Sequence, residues 1–241
     1  MRWRPMSEMR LSKLMAQRGL CSRREADRMI EAGQVLVDGK VVTTLGVRVR
    51  EDVKIALDSS AKRSQKRKVT LAFHKPLGVL SSPDPKSRYP LARDLVQPRG
   101  LNPAGRLDID STGLLILTED GRVAKALIGE GSSIEKEYHI EVRGEITEER
   151  LEQLRFGLEL DGKPLRHARV ERLGPGRLKM VLKEGRKRQI RRMCELVGLT
   201  VTKLMRVRIG GLKLGAIAYG KWRQLGPRDL DALLANGVKS M

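Results

Sequence analysis

Aromatic residues are nearly missing from this sequence: two Trp, three Tyr and two Phe make up 3% of its 241 residues. Any core must therefore be filled by Leu, Val, Ile and Met. Cysteine is just as scarce. Cys21 and Cys194 lie far apart with no C-x-x-C pair, which excludes a disulfide framework, speaks against a zinc site and fits a reducing, cytoplasmic setting. His74, His139 and His167 show no ligand spacing, so no metal is expected. No run approaches the roughly 18 apolar residues of a spanning helix, and residues 1–10 lack the apolar stretch of a signal peptide. No membrane association is expected. There is no P-loop and no G-x-G-x-x-G between a strand and a helix, which leaves nucleoside-triphosphate and dinucleotide chemistry, and cofactors altogether, without support.

Negative charge is the remaining shortage. The chain holds 49 Lys/Arg against 29 Asp/Glu, a formal +20. A field of that size draws in polyanions, and the clustering of the basic residues favours nucleic acid over an anionic membrane surface. Residues 1–68 hold 17 basic and 8 acidic residues, and the remainder 32 and 21, so neither part carries the charge alone. The steepest concentration lies between Arg177 and Lys213, with 12 basic and 2 acidic residues.

The length suits two domains. From Met9 to Asp58, two short helices precede small strands. Leu11, Leu14, Met15 and Arg18 follow helical spacing up to Gly19. Ser22-Arg23-Arg24-Glu25 reads as a capping box for a helix that Gly33 ends. Asp38-Gly39 signals a hairpin turn. This is a small α/β module whose helices are crowded with Arg10, Lys13, Arg23 and Arg24, candidate nucleic-acid contacts. Residues 59–68, with five positive charges and one apolar residue, Ala61, read as a flexible basic linker.

From residue 69 to 235 the pattern is α+β with much strand. Val69–Phe73, Leu114–Leu117, the alternating Tyr138, Ile140 and Val142, and Leu178–Leu182 predict strands. Thr147 predicts a helix cap. Ile190, Met193, Cys194 and Val197 predict an amphipathic helix whose other faces are basic.

Two segments invite chemistry. Arg106-Leu107-Asp108-Ile109-Asp110-Ser111-Thr112-Gly113-Leu114 sets two carboxylates two apart in a polar turn feeding a buried strand. Loops held by a strand often present reactive groups, yet Asp, Ser and Gly also make turns by bonding their own backbone, and on local grounds that is the stronger reading. A carboxylate pair for glycosidic cleavage is a further reading, although the separation is not legible in a sequence. Gly185-Arg186-Lys187-Arg188-Gln189-Ile190-Arg191-Arg192 reads as a phosphate-binding surface, or as the source of a cation beside a catalytic carboxylate.

Together these segments resemble one family. Gly105-Arg106-Leu107-Asp108, Gly113-Leu114-Leu115 and Thr118-Glu119-Asp120-Gly121 are similar to the signature of the RsuA/RluB/RluE/RluF group of ribosomal RNA pseudouridine synthases. Lys75-Pro76-Leu77-Gly78, Glu135-Lys136-Glu137-Tyr138 and Glu184-Gly185-Arg186 through Met193 match its other blocks in order. The first fifty residues resemble the RNA-binding module named after ribosomal small-subunit protein four. The resemblance runs from about residue 9 to 235.

It implies a mainly antiparallel-sheet catalytic domain behind the small α/β module, and isomerisation of a uridine in ribosomal RNA without a cofactor. Asp108 matches the essential aspartate, whereas Asp110 falls at a variable position. Tyr138 matches the tyrosine that stacks on the base, Arg191 the basic residue pairing with the aspartate, and Ile190 the apolar residue beside it. Arg106 lies next to the nucleophile and holds the extruded nucleotide. Arg186, Lys187, Arg188 and Arg192 would grip RNA. His74 departs from the asparagine common before Lys-Pro, which puts one local hydrogen bond in doubt. The Lys136-Glu137-Tyr138 and Arg192–Glu195 blocks lean toward the large-subunit enzymes. A non-catalytic RNA-binding or ribosome-assembly factor is the main rival, and a glycoside-cleaving hydrolase releasing free uracil the third reading. A monomer is expected, since nothing suggests a dimer seam.

Overall fold

A computed structural model describes residues 8–66, 68–129 and 131–235. The chain forms two compact units: one from the chain up to Val69 together with Thr118–Lys125, the other from Thr70–Leu117 and the chain from Ala126 onward.

In the first unit, β1 (Glu8–Arg10) leads into α1 (Leu11–Gln17) and α2 (Arg23–Glu31), followed by β2 (Val35–Val37), β3 (Lys40–Val42), β4 (Arg48–Arg50), β5 (Ile55–Leu57) and α3 (Ser59–Lys66). The predicted capping box is present: the Glu25 N–H donates to Ser22 Oγ at 3.3 Å, and the Ser22 N–H to the Glu25 carboxylate at 3.4 Å. Asp38 and Gly39 both take positive φ, 48° and 82°, as the tight β2–β3 hairpin requires. Leu11, Met15, Ala26, Met29, Ile30 and Val35 form the core, an aliphatic and thioether interior as the composition demanded.

The stretch expected to be a flexible linker is helical as far as Lys66. Asp58 caps it, accepting from the Ala61 N–H at 2.7 Å and from Ser60 Oγ at 2.9 Å. Ala61 is fully buried in the core. One small apolar side chain and one capping carboxylate outweigh a composition that reads as solvated coil. Lys68 pairs with the buried Glu25. Lys125 Nζ donates to Ala16 O at 2.9 Å, a cation serving a carbonyl at the end of α1. At Gly121 a Cβ would fall 2.5 Å from Ser22 N, so the glycine after Asp120 is a packing requirement.

The second unit contains β6 (Thr70–Lys75), β7 (Asn102–Pro103), β8 (Thr112–Thr118), the end of α4 (Gly121–Ile128), β9 (Lys136–Arg143), α5 (Glu148–Arg155), β10 (Glu159–Leu160), β11 (Lys163–Pro164), β12 (Arg169–Gly174), β13 (Arg177–Leu182), α6 (Gln189–Leu196), β14 (Thr200–Ile209), β15 (Leu212–Lys213), β16 (Trp222–Gln224) and α7 (Pro227–Leu234). Its nine-stranded sheet runs β12-β13-β9-β14-β8-β6-β16, with β15 beside β14 and β7 beside β8. The β12–β13, β13–β9, β9–β14 and β16–β6 pairings are antiparallel, and β14–β8 is parallel. The α+β, mainly antiparallel architecture is thus the observed one. Thr147 caps α5 by accepting from the Arg150 N–H at 3.3 Å.

β14 is the longest strand and sits between β9 and β8. Met205, Val207 and Ile209 alternate with Arg206 and Arg208, a pattern that would turn the arginines outward, yet register shifts at Val201/Lys203 and Arg206/Arg208 accompany burial of Leu204, Arg206 and Ile209. Gly113 is where β14 crosses β8: a Cβ there would lie 2.2 Å from Arg206 O, and φ is +105°. The glycine of the Gly-Leu-Leu motif therefore lets the two central strands meet.

Candidate active site

The second unit holds a cavity of about 1080 Å³. Asp108, Arg106, Tyr138 and Ile190 line it, together with Ser81, Ser111, Lys136, Lys187 and Arg206. Four of the five residues expected at the reactive centre thus share one cavity, brought from three places: the loop before β8, the strand β9 and the first turn of α6.

The loop that carries Asp108 is fixed by its backbone. Ser81 Oγ accepts from the Leu107 N–H at 3.0 Å and donates to Leu107 O at 2.8 Å. The Gly78 N–H donates to Ile109 O at 3.0 Å, and the Ser111 N–H to Asp108 O at 3.1 Å. Lys75, fully buried, closes the 75–79 turn by donating to Pro76 O and Val79 O, each at 2.9 Å. Burial pushes its ammonium down to about 8, against the opposing attraction of Asp110 and Asp108. The Lys-Pro-Leu-Gly motif and Ser81 are therefore the seat of the aspartate loop, with both neighbours of Asp108 held by main-chain bonds. Among the described residues the Asp108 carboxylate makes no ion pair, so it stands free at the cavity wall.

Arg191 does not make the contact that the resemblance implies. Its guanidinium donates to Asp110 O at 2.7 Å and to Val201 O at 3.1 Å, and its Nε lies 3.2 Å from the Asp110 carboxylate. Arg188, in a left-handed conformation with φ 50°, pairs with that same carboxylate at 3.0 Å. The 108–111 turn reverses the chain, so Asp108 opens on the cavity while Asp110 meets α6. The residue matched to a variable position is thus the one that fastens the loop to the helix.

The expected RNA contacts divide. Arg10, Lys13, Arg23 and Arg24 are exposed on the first unit and make no ion pair among the described residues. Arg186 donates to Leu160 O at 2.9 Å, Lys163 O at 3.0 Å and Pro164 O at 2.6 Å, gripping the β10–β11 hairpin. Arg192 binds Asp161 on that hairpin through two bonds of 3.0 and 2.7 Å. Lys187 remains exposed on the cavity wall. His74 Nδ1 lies 2.9 Å from Ile217 O, and its ring packs edge-on against Tyr219. Both cysteines are buried, and burial pushes their thiols up to about 12.

Two cations in the cavity wall were not singled out from the sequence. Lys136 lies two residues before Tyr138 on β9, and burial with the neighbouring Arg206 pushes it down to about 8. Arg206, 3% exposed, donates through Nε to Leu114 O at 2.8 Å and through Nη1 to Arg106 O at 3.2 Å. Its Nη2 is sealed from solvent and has no partner, as is Ser111 Oγ. The alternation that marked Tyr138 as inward-facing applies equally to Lys136. Arg206 had no such signal, because its strand was unread.

Comparison with known proteins shows the family and the fold. The family model of RNA pseudouridylate synthase matches residues 69–196, and that of the S4 domain residues 9–55. Dual-specificity RNA pseudouridine synthase RluF of Escherichia coli K12 is 36% identical over 228 residues, 94% of this chain and 78% of that protein. Ribosomal large subunit pseudouridine synthase B of Bacillus subtilis is 35% identical over 234 residues, 94% of this chain and 96% of that one. The crystal structure of a pseudouridylate synthase superposes with a TM-score of 0.68 at 24% identity, covering 93% of this chain and 99% of that one, a likeness of fold. Among the described residues no helix is long and apolar enough to cross a membrane.

Proposed function

We propose, from the premise that the chain belongs to the RNA pseudouridylate synthase family, that it converts a uridine of large-subunit ribosomal RNA to pseudouridine with Asp108 as its catalytic carboxylate. One observation carries the assignment of Asp108 over Asp110. The first is free at the wall of the cavity, and the second is engaged by Arg188 and Arg191.

The reaction separates uracil from its ribose, turns it and rejoins it through carbon, so both fragments must be held in one place. The nucleotide first leaves its stack, as in other base-modifying enzymes. Asp108 then serves the sugar. Tyr138 offers a flat face and a hydroxyl to the base, with Ile190 beside it and Arg106 at the exposed rim. Arg191 is a positioning residue that acts through Asp110. The S4 domain binds RNA through α1 and α2, where Arg10, Lys13, Arg23 and Arg24 are available to backbone phosphates. The large-subunit target follows the name of the Bacillus subtilis relative, which this chain matches over 96% of its length. We take the protein to act as a monomer in the cytoplasm.

Asp108→Asn is expected to lower the single-turnover rate of pseudouridine formation by at least about 1,000-fold, the scale seen when a nucleophile is removed, with RNA affinity nearly unchanged. Nucleoside chromatography of rRNA from a deletion strain complemented with either form reads the result. Full activity of the variant would sink the assignment, and release of free uracil would point to a hydrolase.

A further inference from the structure

We propose that Lys136 and Arg206 form a cationic floor that takes up the negative charge of the uracil when its bond to ribose breaks, which makes Lys136 a second catalytic residue beside Asp108. The inference rests on the reading that this cavity isomerises uridine.

The reaction has two sides. As C1′–N1 breaks, the bonding pair leaves with the uracil and spreads over N1, O2 and O4. C1′, short of that pair, is met by the Asp108 carboxylate. Carbon 5 then supplies a pair for the new C1′–C5 bond, which breaks the C1′–O bond and releases the Asp108 carboxylate. C5 loses its proton and N1 gains one, so the product is an isomer and no oxidant, reductant or donor is needed. A carboxylate can serve the sugar, but it repels an anionic leaving group. That side needs donors already aimed at the place where charge develops.

The sheet supplies them. Lys136 and Tyr138 are two apart on β9 and share a face, and Arg206 on β14 stands directly opposite Tyr138 in the β9–β14 register. Both cations line the cavity with Asp108. The Lys136 ammonium donates to Ile134 O at 3.0 Å and forms no ion pair with a described residue. Arg206 likewise has no carboxylate partner, and its Nη2 is a buried donor with nothing to donate to. Folded proteins rarely leave such a group orphaned. Two neighbouring, partly desolvated cations without a counter-ion form an unfavourable arrangement unless an anion enters between them. The contrast with α6 is sharp, because Arg188, Arg191 and Arg192 there are all paired.

An RNA phosphate is the other anion that fits such a floor, and the leaving-group test separates the two. Large-subunit rRNA transcripts containing uridine or 5-fluorouridine are reacted with the enzyme under single turnover. Breakage of the C1′–N1 bond is followed by nucleoside chromatography as loss of the starting nucleoside, and RNA affinity is measured in parallel. The fluorinated base has no proton at C5 to lose, so it ends as a C5-fluorinated, C5-linked adduct. The electron-poor fluorinated base leaves more easily. Lys136→Met is expected to slow the uridine transcript about 100-fold, the scale of one lost oxyanion donor, and the fluorinated one by less than about tenfold, without loss of affinity. Lys136→Arg is expected to restore the uridine rate to within about tenfold of the native enzyme, and Lys136→Gln to fall between. Equal slowing on both transcripts, a matching loss of affinity, or no slowing by Lys136→Met and Lys136→Gln would overturn the proposal. A native enzyme that forms no pseudouridine in the uridine transcript would instead overturn the functional reading beneath it.

Discussion

Two regions are dense in positive charge, and they use it in opposite ways. At the end of β1 and on α1 and α2 of the S4 domain, Arg10, Lys13, Arg23 and Arg24 stand exposed with no ion pair among the described residues. In the run from Arg186 to Arg192, the arginines are engaged by the protein itself: Arg186 and Arg192 hold the β10–β11 hairpin, and Arg188 and Arg191 hold the Asp108 loop through Asp110. Lys187 in that run lines the cavity and makes no ion pair with a described residue. Charge density along the chain is thus not charge available to a ligand. What is left for a ligand is what remains after the fold's own carbonyls and carboxylates are served.

The most severe test of that contrast is to change Arg10, Lys13, Arg23 and Arg24 to Gln together. Affinity for rRNA at physiological salt is expected to fall on the order of 100-fold and the salt dependence to become shallower by about three ions. Titration by filter binding at several salt concentrations reads both, and an unchanged slope would break the comparison.

Lys75 sharpens it from the buried side. Its folded pKa of about 8 lies below the ordinary 10.5, so between these values the unfolded chain holds more protons than the folded one. The charged lysine then costs stability at and below pH 8, and the cost fades as pH rises toward 10.5. Asp108, Asp110 and Arg206 are the charges that act on it. Relative to Lys75→Met, the native protein is expected to gain about 2–4 kcal/mol over that interval in urea unfolding. A flat difference would show that burial there carries no such cost.

Arg186→Ala makes the smallest and most pointed test. It removes three bonds to backbone carbonyls, so about 1–2 kcal/mol of unfolding free energy is expected to go, with the RNA salt slope unmoved. A shallower slope at unchanged stability would return Arg186 to the RNA surface.

Much of this was legible beforehand because it rests on short-range rules. The Ser22 capping box, the Asp38-Gly39 hairpin, the Thr147 cap and the strand of Tyr138 each depend on residues within a few positions. Where short-range rules fail, so did the reading. Residues 59–68 looked like solvated coil because only Ala61 is apolar, and burial of that one residue is a tertiary fact. In β14 the alternation of Met205, Val207 and Ile209 with Arg206 and Arg208 points the arginines outward, and burial of Arg206 beside the register shifts is again a tertiary fact. The Arg191–Asp110 pairing depends on which way a four-residue turn throws two nearby carboxylates, which spacing alone does not state.

The sequence by itself determined the family, the two-part organisation, the affinity for a polyanion and the candidate aspartate. Each of these follows from motif order, local propensity or net charge, quantities that need no third dimension. The tertiary structure decided which aspartate is free, which arginines are already engaged, and that two lone cations lie across adjacent strands beneath the cavity. Those questions concern partners distant along the chain, as Arg206 is from Arg106 and Tyr138. Only the folded sheet brings such groups to hydrogen-bonding distance and takes away the water that would otherwise satisfy them.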